Sequence, residues 1–222
     1  MHIEPGLVTG AKLALSVVTA AGAAGLTVKS ALPDLRARGV ASFGARAVVA
    51  MLGTLVAFQM LPHPPVGVSE VHFIFGSTLF LLFGAAPAAL GLALGLLAQG
   101  LFFAPFDLPQ YGMNVTTLLI PLFGLKMVAD RIIPAGTAYV DVTYMQVAKL
   151  SAVYQGGIVA WVAFWAFYAD GFAATSGVAT FGVAYMMVVL IEPLVDLAVL
   201  AGAKSLKGLK DSGLVATRLL NA

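Results

Sequence analysis

The chain has no cysteine among its 222 residues, and only 10% of them are charged. Without thiols there can be neither a disulfide framework nor a thiolate metal site, so any metal must be held by nitrogen and oxygen. Globular domains carry about 25% charged residues. A soluble protein of this size could not solvate its surface with so few. Basic density is also missing: the net charge is +2, and no run of Lys and Arg is dense enough for a nucleic-acid partner. The glycine-rich loop that cradles nucleotide phosphates is absent, so ATP hydrolysis is not expected of this chain. What remains is apolar. Sixty per cent of residues are hydrophobic and the mean hydropathy is strongly positive, which makes the bilayer the solvent for most of the protein.

A helix needs about 20 apolar residues to cross the hydrocarbon core. Seven segments qualify or nearly so: Leu7 to Val28, Ala45 to Met60, His72 to Phe83, Ala88 to Phe103, Val115 to Val128, Met145 to Tyr168 and Phe181 to Ala201. The short ones imply tilted or partly enclosed helices. The third and fourth meet at Gly84-Ala85-Ala86-Pro87, a break without charges that must lie beside protein. The first segment is longer than a signal-peptide core and follows Met1-His2-Ile3-Glu4, which is not a basic leader, so it reads as a retained helix. The expected fold is all-α: one polytopic transmembrane bundle of about seven helices over residues 1–222, with residues 1–6 and 202–222 as tails.

Orientation follows from the cations. With the amino terminus outside, Lys29, Arg36, Arg38, Arg46, Lys126, Arg131 and Lys149 fall on the cytoplasmic side. So do Lys204, Lys207, Lys210 and Arg218 in a cytoplasmic carboxy-terminal tail. Lys12, inside the first segment, is the exception. The outer segments hold Glu4, Glu70, Asp107 and Asp170, with no Lys or Arg.

The three histidines, His2, His63 and His72, then share the outer face. A second-position histidine offers three nitrogens in sequence: the amine of Met1, the His2 amide and the His2 ring. They close a five- and a six-membered chelate ring, and one further imidazole would complete a square of four nitrogens suited to Ni(II), Cu(II) and some Co(II). Equally, His2 reads as a solvated residue at a frayed end. His63, in Leu61-Pro62-His63-Pro64-Pro65, reads as part of an extended, solvated connector. His72 reads as opening an apolar helix, with Gly76 one turn on leaving room for backbone to approach. It could be a ligand or an anchor at the headgroup level.

Met1-His2-Ile3, the stretch from Gly67 to His72 followed by Gly76, and Gly112-Met113-Asn114-Val115 resemble the CbiM/NikM family. These are the metal-capturing membrane subunits of energy-coupling-factor cobalt and nickel transporters. The resemblance is specific from residue 1 to about Leu125 and rests on span count beyond it. Glu4-Pro5-Gly6 departs from the family pattern of the tail. The resemblance implies that residues 1–6 form a metal-binding tail and that Met1, His2 and His72 are the ligands. It implies Co(II) or Ni(II) as transported substrate with no permanent cofactor. It also implies a coupling membrane subunit, two ATPase subunits and a small accessory membrane subunit as partners, and a multi-pass place in the bacterial plasma membrane. Asn114 is then a neighbour of the ligands, hydrogen-bonding one of them or the amino-terminal loop, where the residue alone also suggests a helix cap.

Intramembrane carboxylates are functional suspects. Glu192 and Asp196 lie four residues apart with Pro193 between them. They are expected near the inner end of the last segment, contacting a partner subunit. Gln99 is expected to hydrogen-bond a neighbouring helix. The small residues from Thr19 to Gly25 suit close helix packing or docking of a partner. Two rival readings stand beside this one. The first is a vitamin-capture subunit using Phe106 and Tyr111; the second is a membrane enzyme with Glu192 and Asp196 as acid and base, though no His-Glu-x-x-His run supports it.

Overall fold

The computed structural model describes Ile3 and residues 6–208. The longest helix, α1 (Leu13–Met60), has 48 residues. Drawn straight it would measure about 72 Å, more than twice the roughly 30 Å of a hydrocarbon core. Gly39 breaks it. At φ +78° and ψ 165° this residue leaves helical geometry, in a region that glycine enters without steric cost. The second arm therefore folds back along the first. Arg46 reaches Asp34 at 2.8 Å, a pair that would sit about 18 Å apart along an unbroken helix. The two arms are the first two expected segments.

Two short strands follow, β1 (Pro65–Val66) and β2 (Ser69–Glu70), paired antiparallel in a hairpin. An extended strap from Val71 to Phe75 leads into α2 (Gly76–Phe83). Here the structure corrects the sequence expectation: His72 does not open the helix but lies in the strap before it. Phe75 takes a left-handed conformation, φ 54°, which turns the chain into α2. At eight residues α2 is about 12 Å long and cannot cross a bilayer alone.

Gly84, at φ +88°, separates α2 from α3 (Ala85–Phe102). Pro87 lies in the first turn of α3, where its missing N–H removes no intrahelical bond. The helix packs on the second arm of α1 through Gly91 and Gly95. A Cβ on Gly91 would stand 2.4 Å from the Ala50 Cβ, and one on Gly95 would stand 2.7 Å from the Thr54 Cβ. Such contact is how helices gain attraction in lipid, where apolar burial is worth little.

The remaining helices are α4 (Tyr111–Ile132), α5 (Tyr144–Asp170) and α6 (Thr175–Gly208). Thr143 and Gln146 begin α5 with a reciprocal capping box. Trp165, Tyr154, Tyr185, Phe181, Leu118 and Leu122 are fully buried at the centre. Outside, Val18, Phe102, Phe172 and Val183 are exposed, as suits side chains that face acyl tails. Among the described residues, four helical stretches are long and apolar enough to cross a membrane: Gly10–Met60, Ala85–Phe102, Pro105–Ile132 and Tyr144–Leu206. The chain is thus an all-α multi-pass bundle.

The hairpin is pressed onto the start of α6. Gly67, at its tip, has φ +66°, and a Cβ there would fall 2.2 Å from the Gly177 carbonyl oxygen. Gly67→Ala should therefore strain the backbone by about 1–2 kcal/mol and also push the hairpin off α6. The expected result is a melting temperature lowered by several degrees in detergent; an unchanged melt would show that the hairpin is not seated as described.

Candidate metal-capture site

The site is assembled at the end of the bundle that carries the hairpin. Ile3 forms an antiparallel bridge with Ser69 beside β2. Its backbone N–H donates to Asn114 Oδ1 at 2.8 Å, and its side chain is fully buried. Asn114 is buried inside the first turn of α4 and caps no helix; Gln110 holds the cap position. Of the two readings of Asn114, the geometry shows the loop-holding one. Asn114 Nδ2 has no hydrogen-bond partner among the described residues.

His72 is fully buried three residues beyond Ser69. Its Nε2 lies 2.7 Å from Glu70 Oε2. An ionised carboxylate only accepts, so the ring must donate from Nε2, and in the neutral tautomer Nδ1 then carries the lone pair. A carboxylate behind one ring nitrogen fixes the ring and raises the basicity of the other. Phe58, from the end of α1, packs against the same ring at 5.0 Å between centroids.

His63 departs from expectation. It is half-buried and not a solvated connector residue: its ring stacks on His72 at 5.1 Å with planes 6° apart, and its Nδ1 donates to the Leu61 carbonyl at 2.9 Å. Prolines on both sides hold the connector in the extended form that brings the ring there. Gly76 also differs from expectation. The space beside it admits no backbone; it is filled by the Tyr154 ring, whose Cζ would lie 2.2 Å from a Cβ at that position.

Glu192 and Asp196 were expected to contact a partner subunit. In the structure both are buried inside the chain, with donors of this chain on their oxygens. Glu192 accepts the backbone N–H groups of Ile74 and Phe75 and the side-chain amide of Gln155. Asp196 accepts the hydroxyls of Ser77, at 2.6 Å, and Thr78. The physical reason is the strap: its extended backbone has no ladder partner at that depth, and acceptors must come from side chains. The signal was present in the sequence as two intramembrane carboxylates facing a stretch too polar, at Ser77 and Thr78, for a plain apolar helix.

Other candidates scatter. Gln99 is buried, and its Oε1 accepts no hydrogen bond among the described residues. Tyr111 donates to the Ala93 carbonyl at 2.9 Å and Phe106 is exposed, so the two do not form an aromatic box. Gly22 and Gly25 meet nothing within 4 Å. Among the described residues no three His, Asp or Glu side chains gather as metal ligands. Met1 and His2 lie outside the described residues.

With the fold and the site in view, the kinship is plain. The family model for the cobalt uptake substrate-specific transmembrane region, CbiM, matches residues 2–207. The chain belongs to this family. Its fold also superposes on the crystal structure of a truncated transition metal transporter with a TM-score of 0.64, covering 90% of this chain and 94% of that one at 13% identity. At that identity the likeness is one of fold. No curated protein sequence matches the chain. As a CbiM-family protein it is a transmembrane component of cobalt uptake, which meets the resemblance read from the sequence.

Asn114→Ala should release the Ile3 N–H into a buried space, at about 1–3 kcal/mol for an orphaned donor. Cobalt binding to the purified protein should weaken roughly 10- to 100-fold, measured by equilibrium dialysis. Wild-type affinity in that variant would mean that the Ile3 contact does not serve the site.

Proposed function

We propose that this CbiM-family chain is the substrate-capture subunit of an energy-coupling-factor transporter, taking Co(II), or Ni(II), from the outer face through Met1, His2 and His72. The observation that carries the reading is the seating of Ile3 against Ser69 and Asn114. His2 immediately precedes this anchored residue in the sequence. The Met1 amine, the His2 amide and ring, and the His72 imidazole supply four nitrogens. Ligand type does not separate cobalt from nickel, and copper would bind such a set more tightly still, so supply must exclude it.

The topology is proposed as seven passes with the amino terminus outside. The two arms of α1 are the first two, and the strap with α2 is the third. Roughly 13 Å of extended backbone and 12 Å of helix together approach the thickness of the core. Arg38, Arg46 and Lys126 gather around Gly84 at the end opposite the hairpin, and Lys204 reaches the Val140 carbonyl beyond it. The positive-inside rule makes that end cytoplasmic. Energy comes from partners, a coupling membrane subunit and two ATPases, with a small accessory membrane subunit, in the bacterial plasma membrane. The chain itself is no enzyme in this reading.

The free amine is the sharpest requirement. One residue added before Met1 turns the amine into an amide and shifts both chelate rings by a position, so cobalt or nickel accumulation should be lost although every histidine survives. A carboxy-terminal tag should do no harm. Full uptake by cells carrying only the extended protein, its start verified by mass spectrometry, would rule the site out.

His2→Ala and His72→Ala should each abolish binding. His63→Ala should weaken it by about tenfold at most, since an aromatic stack is worth about 0.5–1.5 kcal/mol. Binding of the wild type should fall as pH falls, because protons compete for the amine and the imidazoles. Titrating the three variants with Co(II) at two pH values separates these outcomes; equal losses at all three histidines would show that His63 also ligates.

A further inference from the structure

Glu192 lies outside the proposed ligand set, yet it grips the backbone that carries His72. One carboxylate oxygen accepts both Ile74 N–H and Phe75 N–H, the latter at 3.1 Å. The other accepts from Gln155 Nε2, and Gln155 Oε1 accepts in turn from the Tyr185 hydroxyl at 2.6 Å. Every donor in this chain of bonds points toward Glu192, and all three side chains are fully buried. One turn along α6, Asp196 fixes Ser77 and Thr78. The segment after His72 is thus tied to one helix by two side chains. It is the segment that most needs tying, because Phe75 holds a left-handed conformation that bulky residues rarely adopt unaided.

We propose that Glu192 is a positioning residue for metal capture. By accepting the Ile74 and Phe75 amides it sets the depth and rotation of the His72 imidazole relative to the amino-terminal segment. A carboxyl group suits the place because it offers two acceptor oxygens where three donors converge. Ligand geometry within about half an ångström decides how well a metal is held, and supporting contacts set that geometry. The proposal rests on the capture reading above, with His72 as a ligand.

The test uses full-length protein with a native amino terminus and a carboxy-terminal tag, purified in detergent and titrated with Ni(II). Affinity comes from equilibrium dialysis and geometry from the visible absorption band of the bound ion. Glu192→Asp keeps the charge but is about 1.5 Å shorter, so it must pull the strap or release it. Affinity should drop about 10- to 100-fold and the band should shift. Glu192→Gln keeps the reach and one acceptor oxygen, so it should bind more tightly than Glu192→Asp and keep a band closer to wild type. Glu192→Leu should lose the most, and a thermal melt checks that it folds. Wild-type affinity and band in Glu192→Asp, alongside loss of binding in His72→Ala, would overturn the positioning role and leave the capture site standing. Undiminished binding in His72→Ala would overturn both.

Discussion

An extended backbone inside a membrane protein has nowhere to place its N–H groups, and the strap from Val71 to Phe75 is the point where this fold meets that constraint. Helices satisfy themselves; a strap does not. Val71 N–H finds the Pro64 carbonyl at 3.0 Å across the base of the hairpin, while Ile74 and Phe75 find Glu192. Much else follows from that solution. Glu192 must be buried, so Gln155 and Tyr185 must back it. The turn at Phe75 must be held, so Asp196 secures the first residues of α2. What these costly groups secure is an imidazole, His72, that a regular helix would have placed on its own surface.

The apolar helices were legible in the sequence because lipid imposes a simple length and composition test. Six of the seven apolar segments lie in helices of the fold, and the break between the third and fourth fell at Gly84. The third segment misled in its first four residues. Val71 to Phe75 is as apolar as a helix and carries no proline or glycine, so local pattern could not distinguish a strap; the distinction comes from carboxylates over 100 residues away. His63 misled for a related reason. Its prolines correctly indicate an extended connector, but extension does not decide exposure, and this connector returns across the mouth of the bundle.

The site was partly legible. His72 and Asn114 could be named from position, and the structure gives each a concrete attachment: His72 to Glu70, Asn114 to the Ile3 amide. Glu70 passed as one of several outer acids, since nothing in Val68-Ser69-Glu70-Val71-His72 says that residues two apart will meet. In a strand such residues share a face, so recognising the stretch as extended would have exposed the pair. Glu192 and Asp196 stand out in the sequence as intramembrane carboxylates, but their burial is decided by Ile74, Phe75, Ser77 and Thr78, far away in the chain.

These attachments share a direction. Ile3 is held by the hairpin and α4, whereas His72 is held by Glu70 of the hairpin and, through the strap, by α6. The hairpin therefore touches both pieces, while α4 and α6 each hold one of them. Small shifts between these anchors act directly on the relative placement of Ile3 and His72, because packed helices move as units. Rotating α6 by a fraction of a turn would carry Glu192, the strap and His72 together. The Ile3 bridge would stay with Ser69 only as long as the hairpin followed. Gly67 against Gly177 makes it follow: the hairpin tip rests on the same helix that holds the strap. The Asn114 contact then ties Ile3 to α4. Relative motion of α4 and α6 would therefore act on the Ile3–Asn114 hydrogen bond.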